Sequence, residues 1–333
     1  MNTYLLIIIA DFLLAANFAI QKKYQENAGA SVKSSLIYNT ATGCFSVFLF
    51  LIINGFRIHV TPYSLLLAAI FSTALVAYLF IGFRIMEKGN MSLYTIFLMT
   101  GGMTVPYLWG IFFLKEKITL FRILGILIVI AAVVLFHSGT KMAGKNQLLL
   151  CVAVFFLNGV TSVTSKMHQI SVAGAEVSSP EFAFWVMFFK AAFCGLAMLL
   201  LRKKLFPSLK KGDDSKRSYS FEKPYSVEKS DFSTERPSSG HLEARDCEKT
   251  NGMKVNARKV LPLLLASSIA DGISYMLQLL GAVSLPATVL YPFITGGVVV
   301  LTSLTGVVLF HEKLSKRQLA GVLACFIGTL LFL

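Results

Sequence analysis

In 333 residues the chain is 55% hydrophobic and only 14% charged, with a mean hydropathy of +0.69. That much apolar surface exceeds what one soluble core can hold, so composition excludes an ordinary globular protein and implies an integral membrane protein. The 31 Lys and Arg against 17 Asp and Glu sit between apolar segments rather than along one face, which marks membrane-flanking charge and speaks against a nucleic-acid partner.

A bilayer core about 30 Å thick needs roughly 20 helical residues with every backbone polar group satisfied inside the helix. Ten segments qualify, near residues 3–21, 34–54, 62–83, 90–114, 119–137, 146–166, 182–201, 260–282, 286–310 and 316–333. The first has no basic region ahead of it, contains Asp11 and Asn17, and is followed by no small-residue cleavage site; it reads as a retained span. Between the seventh and eighth lies a polar stretch whose core, residues 205–258, holds eleven basic and nine acidic residues and no apolar run, so it reads as a disordered loop. Of the five cysteines, Cys44, Cys151, Cys194 and Cys325 lie in apolar segments and Cys247 in the polar stretch, with no disulfide or zinc spacing.

The chain repeats itself. At a fixed offset of 196, Phe97, Gly101, Gly110, Glu116, Lys117 and Gly125 meet Phe293, Gly297, Gly306, Glu312, Lys313 and Gly321, which pairs the fourth span with the ninth and the fifth with the tenth. The expected units are residues 1–140 and 145–333, the polar loop being an insertion within the second. Five spans per unit is an odd number, so two fully inserted units must enter with opposite orientation. The expected fold is therefore an all-α integral membrane protein of ten transmembrane helices in two inverted five-helix repeats. Loops after odd-numbered spans, with the flanks of the long loop, carry fourteen Lys and Arg, whereas those after even-numbered spans carry Arg57, Lys115, Lys117, Arg122 and Lys166; read literally, both termini lie outside.

Four strings carry a family resemblance: NFAIQKKY closing the first span, MSLYTIFLMTGG in the fourth, KEKITLFRILGILIVIAAVVLF in the fifth, and LYPFITGGVVVLTSLTGVVLFHEKLSKRQLAGVLACFIGTLLFL at the end. With the Glu–Lys turn followed nine residues later by glycine, found twice, the chain resembles the EamA-type branch of the drug/metabolite transporter superfamily over nearly all its length except 205–258. The resemblance implies a ten-helix carrier of inverted halves that moves small metabolites or drugs through a central cavity, in the plasma or bacterial inner membrane. Its members usually have cytoplasmic termini, opposite to the charge count. The chain departs from them in lacking a tryptophan near the end of the first helix and in its long insertion, which leaves the substrate subgroup open.

Three ionisable residues fall near the middle of predicted spans: Asp11, Lys190 and Asp271. Such groups are costly at the bilayer centre unless they face a polar cavity or a partner. Lys190 and Asp271 could form a structural ion pair or a cavity-facing pair that binds substrate or exchanges protons. Asp11 could be a hydrogen-bonded structural group, or could couple transport to protons as an acidic residue does in the first helix of small multidrug relatives. Polar stripes at helical spacing are candidates for a wet interior: Ser267, Asp271, Ser274 and Gln278; Asn158, Thr161, Ser162 and Ser165; and Ser35, Asn39, Thr42 and Ser46. Single small polar residues of this kind more often serve helix packing.

Gly101, Gly102 and Pro106 in one half and Pro292, Gly296 and Gly297 in the other are candidate helix breaks at a midplane site, with close packing at glycine as the alternative. Tyr94 and Tyr291 could line the same path or anchor the interface. Glu116, Lys117, Glu312 and Lys313 read as structural turns, with glutamate at the positive end of the following helix. No catalytic constellation, cofactor motif or metal-binding pair stands out. The expected function is a secondary transporter, exporter or exchanger, with a small solute and membrane lipid as partners and with both monomer and homodimer open. A lipid-linked metabolite flippase and a non-transporting scaffold or receptor are the alternatives.

Overall fold

The computed structural model describes residues 3–29, 31–86, 91–136, 145–171, 177–201, 257–311 and 315–332. Among the described residues the chain forms ten α-helices and no strand. They are α1 (Thr3–Ala28), α2 (Val32–Ile53), α3 (Pro62–Met86), α4 (Met91–Phe112), α5 (Leu120–Phe136), α6 (Lys145–Ile170), α7 (Ser179–Leu200), α8 (Ala257–Ser284), α9 (Ala287–Phe310) and α10 (Lys316–Leu330). Eight are long and apolar enough to cross a membrane. The exceptions are α5, with 17 residues, and α10, with 15, which at 1.5 Å per residue reach about 26 and 23 Å. The molecule is thus a multi-pass helical membrane protein.

Local signals set the helix ends. Ser31, Ser178 and Ser315 cap α2, α7 and α10, and the last two form capping boxes with Glu181 and Gln318. Gly29 closes α1 in the left-handed region (φ 80°), its N–H donating to Gln25 O at 2.8 Å. Pro286 disfavours helical backbone at Leu285, and α8 stops at Ser284.

Several predicted loop residues are helical. Lys22, Lys23, Lys33 and Arg84 lie in α1, α2 and α3, and Lys166 is inside α6 and almost fully buried. Lys166 is therefore no membrane-flanking charge and leaves the count used for sidedness. Ala257 and Arg258, expected in the polar loop, open α8. The rest of that loop, residues 141–144 between the two expected units, and Glu312 and Lys313 lie outside the described residues.

The helices pack in matched sets. α1 lies on α8 and α6 on α3; α4 lies on α6 and α9 on α1; α3 lies on α7 and α8 on α2. α2 packs on α7, α4 on α9 and α5 on α10. Glycine permits the nearest approaches: a Cβ on Gly43 would sit 2.9 Å from Ala191 Cβ, and one on Gly125 would sit 2.8 Å from the Phe332 ring. One apolar cluster gathers Ile7, Met103, Val129, Leu290 and Phe293, and a second gathers Phe50, Phe182, Val186 and Leu279. Large apolar side chains such as Phe12, Phe48, Phe121, Leu149, Leu200 and Phe326 point outward, as a lipid-facing surface requires.

Candidate functional site

A cavity of about 310 Å³ lies between α1, α3, α4, α6, α8 and α9. α2 with α7 and α5 with α10 contribute nothing to the wall. The helical period explains which residues reach it. On α6, Asn158, Thr161, Ser162 and Ser165 all line the cavity, and on α8 so do Asp271, Ser274 and Gln278. Phe18, Phe71, Tyr78, Tyr275 and Tyr291 add aromatic surface.

Two of the three mid-span charges meet at the edge of this space. Lys190 Nζ lies 3.1 Å from Asp271 Oδ2, with the lysine side chain 9% and the aspartate 24% exposed. Asp271 is on the cavity wall and Lys190 behind it. Asn17, inside α1, donates through Nδ2 to Asp271 Oδ1 at 3.2 Å. Its own amide oxygen faces the Tyr38 and Ser267 hydroxyls, which lie within hydrogen-bonding reach of it and of each other and share two protons among the three contacts. Each carboxylate oxygen of Asp271 thus accepts from one donor, Asn17 on Oδ1 and Lys190 on Oδ2. Nothing local in the sequence marks Asn17 for this role, because one amide in a first helix looks like any packing residue, and Asp271 and Ser267 are more than 200 positions away.

Other candidates sit elsewhere. Asp11 is buried off the wall, where a Cβ on Gly297 would collide with its Oδ2, and its Oδ1 finds no hydrogen-bond partner among the described residues. Asn39 turns back to Ser35 O at 2.9 Å and Ser46 donates to Ser268 O at 3.2 Å, so the stripe on α2 serves packing and not the cavity. Tyr94 lies against Gly82 of α3. Tyr291 does line the cavity and donates to Ser162 O.

Neither α4 nor α9 is broken at its glycines and proline. Gly101 takes the backbone of Phe155 so closely that a Cβ would overlap it, Gly102 meets Asn158 Nδ2, and Gly296 meets Thr329 Oγ1; close packing is what these glycines supply. Pro292 likewise lies inside an uninterrupted α9. Pro106 has no N–H for the carbonyl of Gly102, four residues earlier, and Ser162 Oγ donates to that carbonyl at 3.0 Å. Ser162→Ala is expected to cost about 1–3 kcal/mol by stranding it. In the Pro106→Ala background the same change should cost much less, because an alanine N–H at that position restores the helical bond; thermal unfolding in detergent checks the pair.

Glu116 does not serve the helix that follows it. Its two carboxylate oxygens accept the backbone N–H groups of Ala287 at 2.7 Å and Thr288 at 2.8 Å, capping α9 in the other half of the chain. Beside it, Lys166 Nζ donates to Ala282 O at 2.6 Å and Leu285 O at 2.7 Å, the carbonyl end of α8. Opposite charges thus hold the two sides of the Leu285–Pro286 turn, each matched to the nearest helix-dipole end. Lys117 is exposed.

No protein-family model and no curated protein matches the chain. Its fold is similar to that of a solved structure described only as "Crystal structure of protein", with a TM-score of 0.67 and 14% identity, over 99% of this chain and 98% of that one. Likeness at that identity speaks to the fold alone.

Proposed function

We propose that the chain is a secondary active transporter, an exporter or exchanger, that carries a small metabolite or drug by alternating access through the cavity between its halves. The observation that carries this reading is the cavity wall itself: six helices, three from each half, contribute to it, and the Lys190–Asp271 pair stands on it. Buried ionisable groups in membrane helices are expensive unless they serve a path or a partner, and here one of them faces the space.

The packing pattern supports two inverted repeats, because the principal helix contacts map onto themselves when α1–α5 and α6–α10 are exchanged. The EamA-type resemblance of the doubled Glu–Lys turn agrees with this architecture. On this reading α5 and α10 also span, the protein sits in the plasma membrane, and coupling uses a proton or solute gradient.

The test is gradient-driven uptake and export by purified protein in liposomes, screened over amino acids, nucleosides and organic cations. At least one solute should move with wild type and fail to move with Asp271→Asn. Deleting residues 210–250 should leave that flux unchanged. A screen in which no solute moves above protein-free liposomes rejects the transport reading.

A further inference from the structure

We infer that the cavity selects an organic cation, an ammonium carried on an aryl or alkyl body, with its charged end at Asp271; this rests on the reading of the cavity as the transported solute's site. The Lys190–Asp271 pair is a dipole, and its orientation decides the sign of the solute. Asp271 lines the cavity and Lys190 does not, so the negative end faces the space. No Lys, Arg or His lines it among the described residues. An anion would enter against a carboxylate, with no cation to receive it.

Asp271 also keeps room for a ligand. A carboxylate offers about four lone-pair positions. Asn17 uses one on Oδ1 and Lys190 one on Oδ2, leaving a position on each oxygen. A solute ammonium can therefore bind without expelling Lys190.

The remaining wall suits the same class. Phe71 and Tyr275 meet at 5.5 Å between ring centroids with a 50° tilt, making a corner, and Tyr78 lies in the same wall. Ring faces attract a cation and also shelter the apolar body attached to it. Several lining hydroxyls turn their protons away from the solute: Thr161 donates to Asn158 O, Ser162 to Gly102 O and Ser274 to Ala10 O. Ser274 Oγ also accepts from Gln278 Nε2 at 3.1 Å, and a lone pair remains on each hydroxyl as an acceptor for an ammonium.

Equilibrium binding to wild-type protein in lipid nanodiscs, with empty nanodiscs subtracted, tests the assignment. The probes are 2-phenylethylammonium, 2-phenylethanol and 3-phenylpropionate with their naphthyl counterparts, matched in body and differing in charge. The ammonium members should bind at least tenfold more tightly than the alcohols and carboxylates. The combined variant Lys190→Met with Asp271→Asn, which leaves no unpaired charge to unfold the site, should lose that preference.

If the alcohols or carboxylates bind as tightly as the ammoniums, or the combined variant keeps the preference, the cation assignment is overturned. The same holds if no probe binds wild type. In each case flux of some other solute in the liposome screen leaves the transport reading standing, and its absence removes both.

Discussion

Asp271→Asn should destabilise the folded protein by about 3–5 kcal/mol, because it strands the buried Lys190 ammonium, and Lys190→Met should cost less, because the carboxylate it strands is 24% exposed. Made together they should cost far less, since two neutral side chains of similar size need no partner. Lys190 is the sharper case: its side chain is only 9% exposed and its ammonium has Asp271 as its one ion-pair partner among the described residues. Asp271 keeps the Asn17 amide after Lys190 is gone, so Lys190→Met should be the milder single change. Transport, in contrast, should be lost in all three variants. A double-mutant cycle by unfolding in detergent, set beside flux, separates the two roles. If the combined variant were as unstable as the sum of the singles, the pair would not be the coupled unit described above.

Glu116→Ala should be the next most damaging change, at roughly 2–4 kcal/mol. It removes a carboxylate that accepts two backbone N–H groups at the start of α9, and leaves Lys166 buried beside them without its neighbouring negative charge. Glu116→Gln keeps one acceptor oxygen and should cost about half as much, whereas Lys117→Ala, at an exposed position, should stay within about 0.5 kcal/mol of wild type. A large effect at Lys117 and none at Glu116 would return the Glu–Lys turn to the role of a simple surface loop. Chemical denaturation of the four proteins side by side reads this directly.

Much of the architecture was legible because the bilayer constrains it. A span must be apolar for about 20 residues, so α2, α3 and α7 were placed to within a few residues. Helix ends beyond the apolar run were harder: α1 and α6 continue through Lys23 and Lys166, and a lysine near a span end looks like a membrane flank whichever it is.

The site was legible in part. Periodicity placed Asn158, Thr161, Ser162 and Ser165 on one face, and that face lines the cavity. The same periodicity in Ser35, Asn39, Thr42 and Ser46 describes a packing seam against α7 and α8. The two patterns are alike in the sequence and differ only in what stands opposite. Lys190 and Asp271 could be paired from their signs and depths. That Glu116 reaches Ala287, that Asn17 fixes Asp271, and that Asp11 lies against Gly297 are contacts across the chain that no local pattern carries.

The measurement that bears most directly on the central claim is solute flux down an imposed gradient in liposomes, comparing wild type with the combined Lys190→Met and Asp271→Asn variant at equal reconstituted amounts. Wild type should move its solute and the variant, though folded, should not. Normal flux with both substitutions present would contradict the assignment of this cavity as the path.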